Sequence, residues 1–329
     1  MSILVAPDSF KGTFSAEEVA AHIAAGIRAA GGTAVELPVA DGGEGTFEVL
    51  VRGLDARPVR IRTVGPWGDD VETAIALAGD GTALVELAFA SGLNLPTAGD
   101  RDPVRASTYG TGVLMAEAVR LGARRVLVAA GGSATTDGGA GAIAAIEERG
   151  GLRGAEVVVL SDVTTGFAEA ARVFGPQKGA GPAAVEALTR RLEAQADRFA
   201  RELGRDPRPV ARTGAAGGFS GGMWAQYGAR LVSGADHVLN LLGFDALAAA
   251  STAVVVGEGR LDSQTGQGKI IAAILARIGT TPVYAVVGSV HEDLGDYADN
   301  FADVIVASDA EALAAAGSRL ARPPGHARP

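Results

Sequence analysis

Five short segments of this sequence set charged and hydroxyl side chains among glycines, and each lies where an apolar run ends or a helix should begin. Pro7-Asp8-Ser9-Phe10-Lys11-Gly12 carries a carboxylate, a hydroxyl and an ammonium on one short loop. In Asp41-Gly42-Gly43-Glu44-Gly45-Thr46, three glycines let backbone approach a ligand closely, and the two acids can hold Mg²⁺ or a substrate hydroxyl. Gly131-Gly132-Ser133-Ala134-Thr135-Thr136-Asp137-Gly138-Gly139-Ala140-Gly141 leads into a predicted helix. Free backbone N–H groups and the positive end of that helix make it a cradle for a phosphate or carboxylate. Gly214-Ala215-Ala216-Gly217-Gly218 opens another helix in the same way. The fifth segment runs from Gly257-Glu258-Gly259-Arg260-Leu261-Asp262 through Ser263-Gln264-Thr265 to Gly268-Lys269. There Arg260 and Lys269 can neutralise phosphoryl oxygens, and Glu258 or Asp262 can hold a metal.

Lysine usage points to the same segments. Of 29 basic residues only Lys11, Lys178 and Lys269 are lysines, and each touches a glycine. A lysine is a compact point charge on a flexible stem, whereas arginine is a planar fork, so the two are not interchangeable at a phosphate. All three are therefore candidate site residues.

The elements that must position these loops alternate along the chain. Residues 3–6 form an apolar strand, Ser15-Ala16-Glu17-Glu18 reads as a capping box, and the helix it opens runs through Val19, Ile23 and Ile27 to a strand at 35–40. Strand, helix and strand in about forty residues is a βαβ unit with parallel strands. Further strands are predicted at 59–64, 71–77, 83–89, 125–130, 157–160, 253–256, 283–287 and 304–306. Helices are predicted at 111–122, 139–149, 182–204, 217–228, 245–250, 268–279 and 309–320. The strand runs are continuously apolar, as in sheets covered on both faces, and the fold class is α/β. In open parallel sheets the functional loops follow the carboxyl ends of the strands, which is where the charged segments fall.

Composition removes several classes. No cysteine is present, which excludes disulfides, thiolate metal sites and a cysteine nucleophile, and fits a reducing cytoplasm. The start of the chain reads directly into a strand rather than a secretory signal, and no apolar run reaches the ~18 residues of a membrane span. A formal net charge of −9 argues against a nucleic-acid partner. The Lys269 segment is not a P-loop, because Ser263 stands where that motif needs glycine. No GxGxxG follows a strand, HExxH is absent, and the scattered histidines suggest no catalytic pairing.

Taken together, the segments resemble the bacterial glycerate kinase family, the type usually described as making 2-phosphoglycerate. Besides the five above, the matching stretches include Ser91-Gly92, Thr108-Tyr109-Gly110-Thr111-Gly112 and Phe174-Gly175-Pro176-Gln177-Lys178-Gly179-Ala180, in order along nearly the whole chain. The resemblance implies two α/β domains, a Rossmann-like parallel sheet interrupted by a second domain, with the active site in the cleft between them. Its strands place the first domain at 1–62 with 247–329 and the second at 63–246. It implies ATP and Mg²⁺, with D-glycerate as the small-molecule substrate and 2-phosphoglycerate favoured over 3-phosphoglycerate. The alternatives are a kinase of a related hydroxy or sugar acid and a non-catalytic small-acid sensor. A cytoplasmic enzyme is expected, with room for a homodimer.

On this reading the residues doing chemistry are Asp8, Lys11, Asp41, Lys178, Arg260, Asp262 and Lys269, with Asp41 and Asp262 as the metal ligands. Ser9, Gly42, Gly43, Glu44, Gly132, Ser133, Thr135, Asp137, Gly217, Gly218 and Glu258 bind substrate or phosphate. Two departures stand out. The stretch between Gly141 and Val157 is shorter than in the family, and the family's Cys-Asp-Val with its Asn-Pro-Leu stretch appears only as Ser161-Asp162-Val163-Thr164-Thr165-Gly166. If that region shapes the pocket, specificity has room to shift toward a related hydroxy acid.

Overall fold

The computed structural model describes residues 2–262, 270–291 and 294–321. The first stretch runs β1 (Ser2–Pro7), α1 (Ala16–Ala29), β2 (Thr33–Glu36), α2 (Thr46–Gly53), β3 (Arg57–Val64), β4 (Asp70–Leu77) and β5 (Thr82–Glu86). Then come α3 (Ala88–Ser91), α4 (Tyr109–Arg120), β6 (Arg125–Ala129), α5 (Ala140–Glu148), β7 (Glu156–Leu160), α6 (Ala170–Phe174) and α7 (Pro182–Leu203). The chain closes with α8 (Phe219–Tyr227), β8 (Arg230–Val232), α9 (Gly234–Leu241), α10 (Phe244–Ala249), β9 (Ser251–Glu258), α11 (Ile270–Arg277), β10 (Val283–Val287), β11 (Asp303–Val306) and α12 (Ala310–Leu320). It folds as two compact units, Met1–Asp41 with Ala235–Pro329, and Gly42–Gly234.

The first unit is built on a five-stranded sheet in the order β11-β10-β9-β1-β2, parallel throughout. Side chains alternate across a strand, so Leu4 and Ala6 pack with Val254, Val256 and Phe244 on one face, while Val5 packs with Val255, Ile23 and Leu313 on the other. Apolar contacts on both faces explain why these strands show no polar alternation. α1 starts where the sequence says it should: the Ser15 hydroxyl accepts from the Glu18 N–H, and the Glu18 carboxylate accepts from the Ser15 N–H.

The second unit holds a six-stranded sheet, β3-β4-β5-β6-β7-β8. β5 to β8 are parallel, and β3 and β4 join as antiparallel strands. Here the expectation of uninterrupted apolar runs gives way. β3 alternates, with Arg60 and Arg62 in solvent, because it is the edge of the sheet and only one face meets the core. Five elements carry no clear signal in the sequence: α2, α6, α9, the three-residue β8, and α3, whose first residues were expected to continue the strand at 83–89. Each is too short for its periodicity to stand out. Among the described residues no helix is long and apolar enough to cross a membrane.

Candidate active site

In the first unit three strand ends converge. The Asp8 N–H donates to Gly257 O at 2.9 Å, tying the end of β1 to the end of β9. Past β2 the chain stays beside β1, with the Leu37 and Val39 N–H groups donating to Val5 O and Pro7 O, so Asp41 comes to lie next to Asp8. The β9 turn is in turn held by the β10 turn, through Gly288 N–H to Glu258 O and Leu261 N–H to Ser289 O. The result is a cavity of about 490 Å³ lined by Asp8, Ser9, Lys11, Thr13, Asp41, Glu258, Arg260, Asp262, Ser289 and Ser308, among others.

Among the described residues its electrostatics are unbalanced: four carboxylates face two cations, Lys11 and Arg260. The Asp8 carboxyl is pushed up to about 7, first by burial and then by the Asp41 carboxylate, against the Ser9 N–H that donates to it at 2.6 Å. Tyr297 is pushed up to about 12 by burial and by Glu258 and Asp262. A bare polyanion would be repelled by this lining, whereas a polyanion carrying a divalent cation would be neutralised by it. Among the described residues no three acids or histidines close into a ready-made metal cage.

Of the predicted residues, this cavity gathers Asp8, Ser9, Lys11, Asp41, Glu258, Arg260 and Asp262. Lys269, with Ser263-Gln264-Thr265 and Gly268, lies outside the described residues. Sequence reasoning missed Thr13, Ser289 and Ser308 as lining residues. Only Ser289 had a signal, a Gly-Ser pair directly after an apolar strand.

The remaining predicted residues belong to the second unit, where three glycine loops pack backbone on backbone. A Cβ at Gly131 would collide with Gly43 Cα, and one at Gly217, which has φ +65°, would run into Thr135 O. Only glycine permits either approach. Gly42, Gly43, Gly131, Gly132, Thr135 and Gly217 thus come together, while Gly218 packs against Gly138. Glu44 and Gly132 also line a cavity of about 290 Å³. Asp137 is enclosed by its own chain: its carboxylate accepts from the Thr108 N–H and hydroxyl (2.8 Å each) and from the Gly139 and Gly141 N–H groups (3.1 Å each). Lys178, on a single helical turn before α7, is buried, and its ammonium donates to Ser133 Oγ at 2.9 Å and Thr135 O at 2.6 Å. Burial lowers that ammonium to about 8, against the opposing effect of Asp137.

Glu86, absent from the sequence expectations, explains α2. It ends β5 at 1% exposure, and its carboxylate accepts from the Phe47 N–H (3.0 Å) and the Gly45 N–H (3.4 Å) at the start of that helix. It also lines the smaller cavity beside Glu44. Burial drives the Glu86 carboxyl up to about 7, with Glu48 and Glu44 adding to the rise. The folded chain therefore keeps a proton between the ordinary 4.5 and about 7 that the unfolded chain releases, so this group's contribution to stability falls as pH climbs through that window. Glu86→Gln does not titrate. Melting curves at about pH 5 and about pH 8 should show the drop in melting temperature reduced by roughly 2–5 °C in the variant. An undiminished drop would clear Glu86 of the effect.

A profile described as the glycerate kinase family matches residues 3–150 and 147–319. The chain is 36% identical over 331 residues to glycerate 2-kinase of Escherichia coli strain K12, covering 90% of this chain and 87% of that protein. It is 37% identical over 329 residues to glycerate kinase of Bacillus subtilis strain 168, covering 89% and 86%. Its fold matches the crystal structure of a candidate glycerate kinase 2 from Salmonella typhimurium LT2, with a TM-score of 0.85 and 32% identity over 98% of this chain and 97% of that one.

Proposed function

This chain belongs to the glycerate kinase family, and from that premise we propose that it transfers the γ-phosphoryl group of ATP to a hydroxyl of D-glycerate, yielding ADP and 2-phosphoglycerate. The observation that carries the proposal is the acid-rich cavity at the strand ends of the first unit, with Asp8 beside Asp41 and with Lys11 and Arg260 among the lining residues.

In the reaction a glycerate hydroxyl oxygen forms a bond to the γ-phosphorus, the bond from that phosphorus to the β,γ-bridging oxygen breaks, and ADP leaves. The hydroxyl proton passes to a carboxylate. Asp8 suits that task, because a carboxyl near 7 can both take and release a proton at neutral pH. Lys11 and Arg260 oppose charge on the transferring oxygens, and Ser9 orients the acceptor. Asp41 and Asp262 would hold Mg²⁺, which when bound offsets the charge of the triphosphate. Phosphoryl transfer asks the protein mainly for positioning and charge neutralisation, and this donor set supplies both. We place the enzyme in the cytoplasm.

The test is incubation with D-glycerate and Mg-ATP, read by ADP release and by proton-coupled ³¹P NMR. Phosphorylation at the secondary hydroxyl gives a phosphorus coupled to one proton, hence a doublet; at the primary hydroxyl it gives a triplet. A doublet is expected. A triplet would move the product to 3-phosphoglycerate, and calorimetric binding of glycerate without turnover would mark a sensor. A panel of related hydroxy and sugar acids tests the alternative acceptor suggested by the altered 161–166 stretch, whose Asp162 accepts from Ser233 Oγ and the Gly234 N–H.

A further inference from the structure

We propose that Lys178, Arg191 and Gln195 are positioning residues that set the conformation of the 131–141 loop, and that the Ser133 hydroxyl is the contact this loop offers to an anionic oxygen of glycerate or ATP. The inference rests on the kinase reading above and adds to it a division of labour within the second unit.

The three donors come from one stretch of chain. Lys178 donates to Thr135 O at 2.6 Å, Arg191 to Thr136 O at 2.6 Å and to Val104 O at 2.8 Å, and Gln195 to Gly138 O at 2.9 Å. Each aims a loop carbonyl at α7 or the turn before it. A trans peptide points its C=O and its following N–H in opposite directions, so fixing the carbonyls of Thr135 and Thr136 also fixes the N–H groups of Thr136 and Asp137. The Gly138 peptide shows the outcome: its carbonyl meets Gln195, and the next N–H, on Gly139, donates to the Asp137 carboxylate at 3.1 Å. A loop with this many glycines has no conformation of its own, and these side chains supply one.

Lys178 does more than hold the loop. Its ammonium occupies a lone pair of the Ser133 hydroxyl at 2.9 Å. A hydroxyl has one hydrogen to donate, and accepting from an ammonium both turns that hydrogen outward and polarises it. Lys178 is sealed at 6% exposure, whereas Ser133 is only half-buried and follows the exposed Gly132. The charge thus reaches a ligand through the serine, and the serine is the group that touches it.

A double-mutant cycle separates this from a purely structural lysine. Ser133→Ala should lower kcat/KM by ~10-fold, Lys178→Met by ~100-fold, and the double variant by ~100-fold rather than the ~1,000-fold that independent effects would give. Additive losses, or wild-type kinetics in Lys178→Met, overturn the proposal. If Lys178→Met does not fold, Lys178→Arg takes its place in the cycle: it keeps charge and donors, so it should retain more activity than the methionine design anticipates and still couple to Ser133→Ala, and additivity there overturns the proposal equally. The source of the anion is read from which constant moves in Ser133→Ala: KM for glycerate if the serine meets a carboxylate, KM for ATP if it meets a phosphate. A wild-type chain that releases no ADP with glycerate would sink the kinase reading itself, whereas an active wild type with additive variants sinks only this inference.

Discussion

Lys11→Ala is expected to lower kcat/KM by ~10²–10³-fold, the range seen when one preorganised charge-stabilising donor is removed. The apo protein should melt within ~2 °C of the wild type, because Lys11 is exposed and supports no core contact. The reason lies in the lining: Lys11 and Arg260 are its only cations among the described residues, against four acids. Removing one leaves the developing negative charge of the transferring group facing carboxylates. Lys11→Arg restores the charge but as a broad planar fork, and its rate should fall between those of the wild type and the alanine variant. Steady-state kinetics beside a melting curve checks the pair. Near-wild-type turnover in folded Lys11→Ala would remove this residue from the mechanism.

Asp8→Asn should separate activity from stability in opposite directions. Turnover is expected to fall by ~10²–10⁴-fold, the usual contribution of a positioned proton acceptor. The apo protein, measured at about pH 8 in chelator, should melt higher by ~2–5 °C. The wild type holds two carboxylates side by side, one of them shielded from water, and the strain is visible in how far Asp8 is displaced from its ordinary value of 3.8. Asparagine keeps the shape and an acceptor for the Ser9 N–H while removing the charge. Residues kept at a cost to the fold are characteristic of functional positions. A variant that is both active and no more stable would contradict the argument.

The sequence revealed the first unit's cavity more fully than the second unit's loops, for a physical reason. In Pro7 to Gly12, at Asp41 and in Gly257 to Asp262, charge follows an apolar strand directly, and a parallel sheet must bring such ends together. Glu86 gave no comparable sign. It is a single acid ending a buried strand, and its partners are N–H groups some forty residues earlier, a relation that no local pattern encodes. Lys178 was singled out by composition and by its glycine neighbour, but its burial depends on how the turn before α7 packs, which neither observation contains. Arg191 and Gln195 lie on α7 and reach inward to loop carbonyls some sixty residues earlier, contacts that the helical period does not encode.

The position of β1 between β2 and β9 has a consequence for how the protein is made. Ser2 pairs with Thr33 on one side and with Ser251 on the other. At the ~5–20 residues per second of synthesis, β1 waits on the order of tens of seconds for its second neighbour. The stretch from Gly42 to Gly234 is continuous and can complete its own sheet during that interval. Nascent chains stalled before β9 should therefore carry a protease-resistant middle and a cleavable leading segment, and chains stalled beyond α12 should protect both.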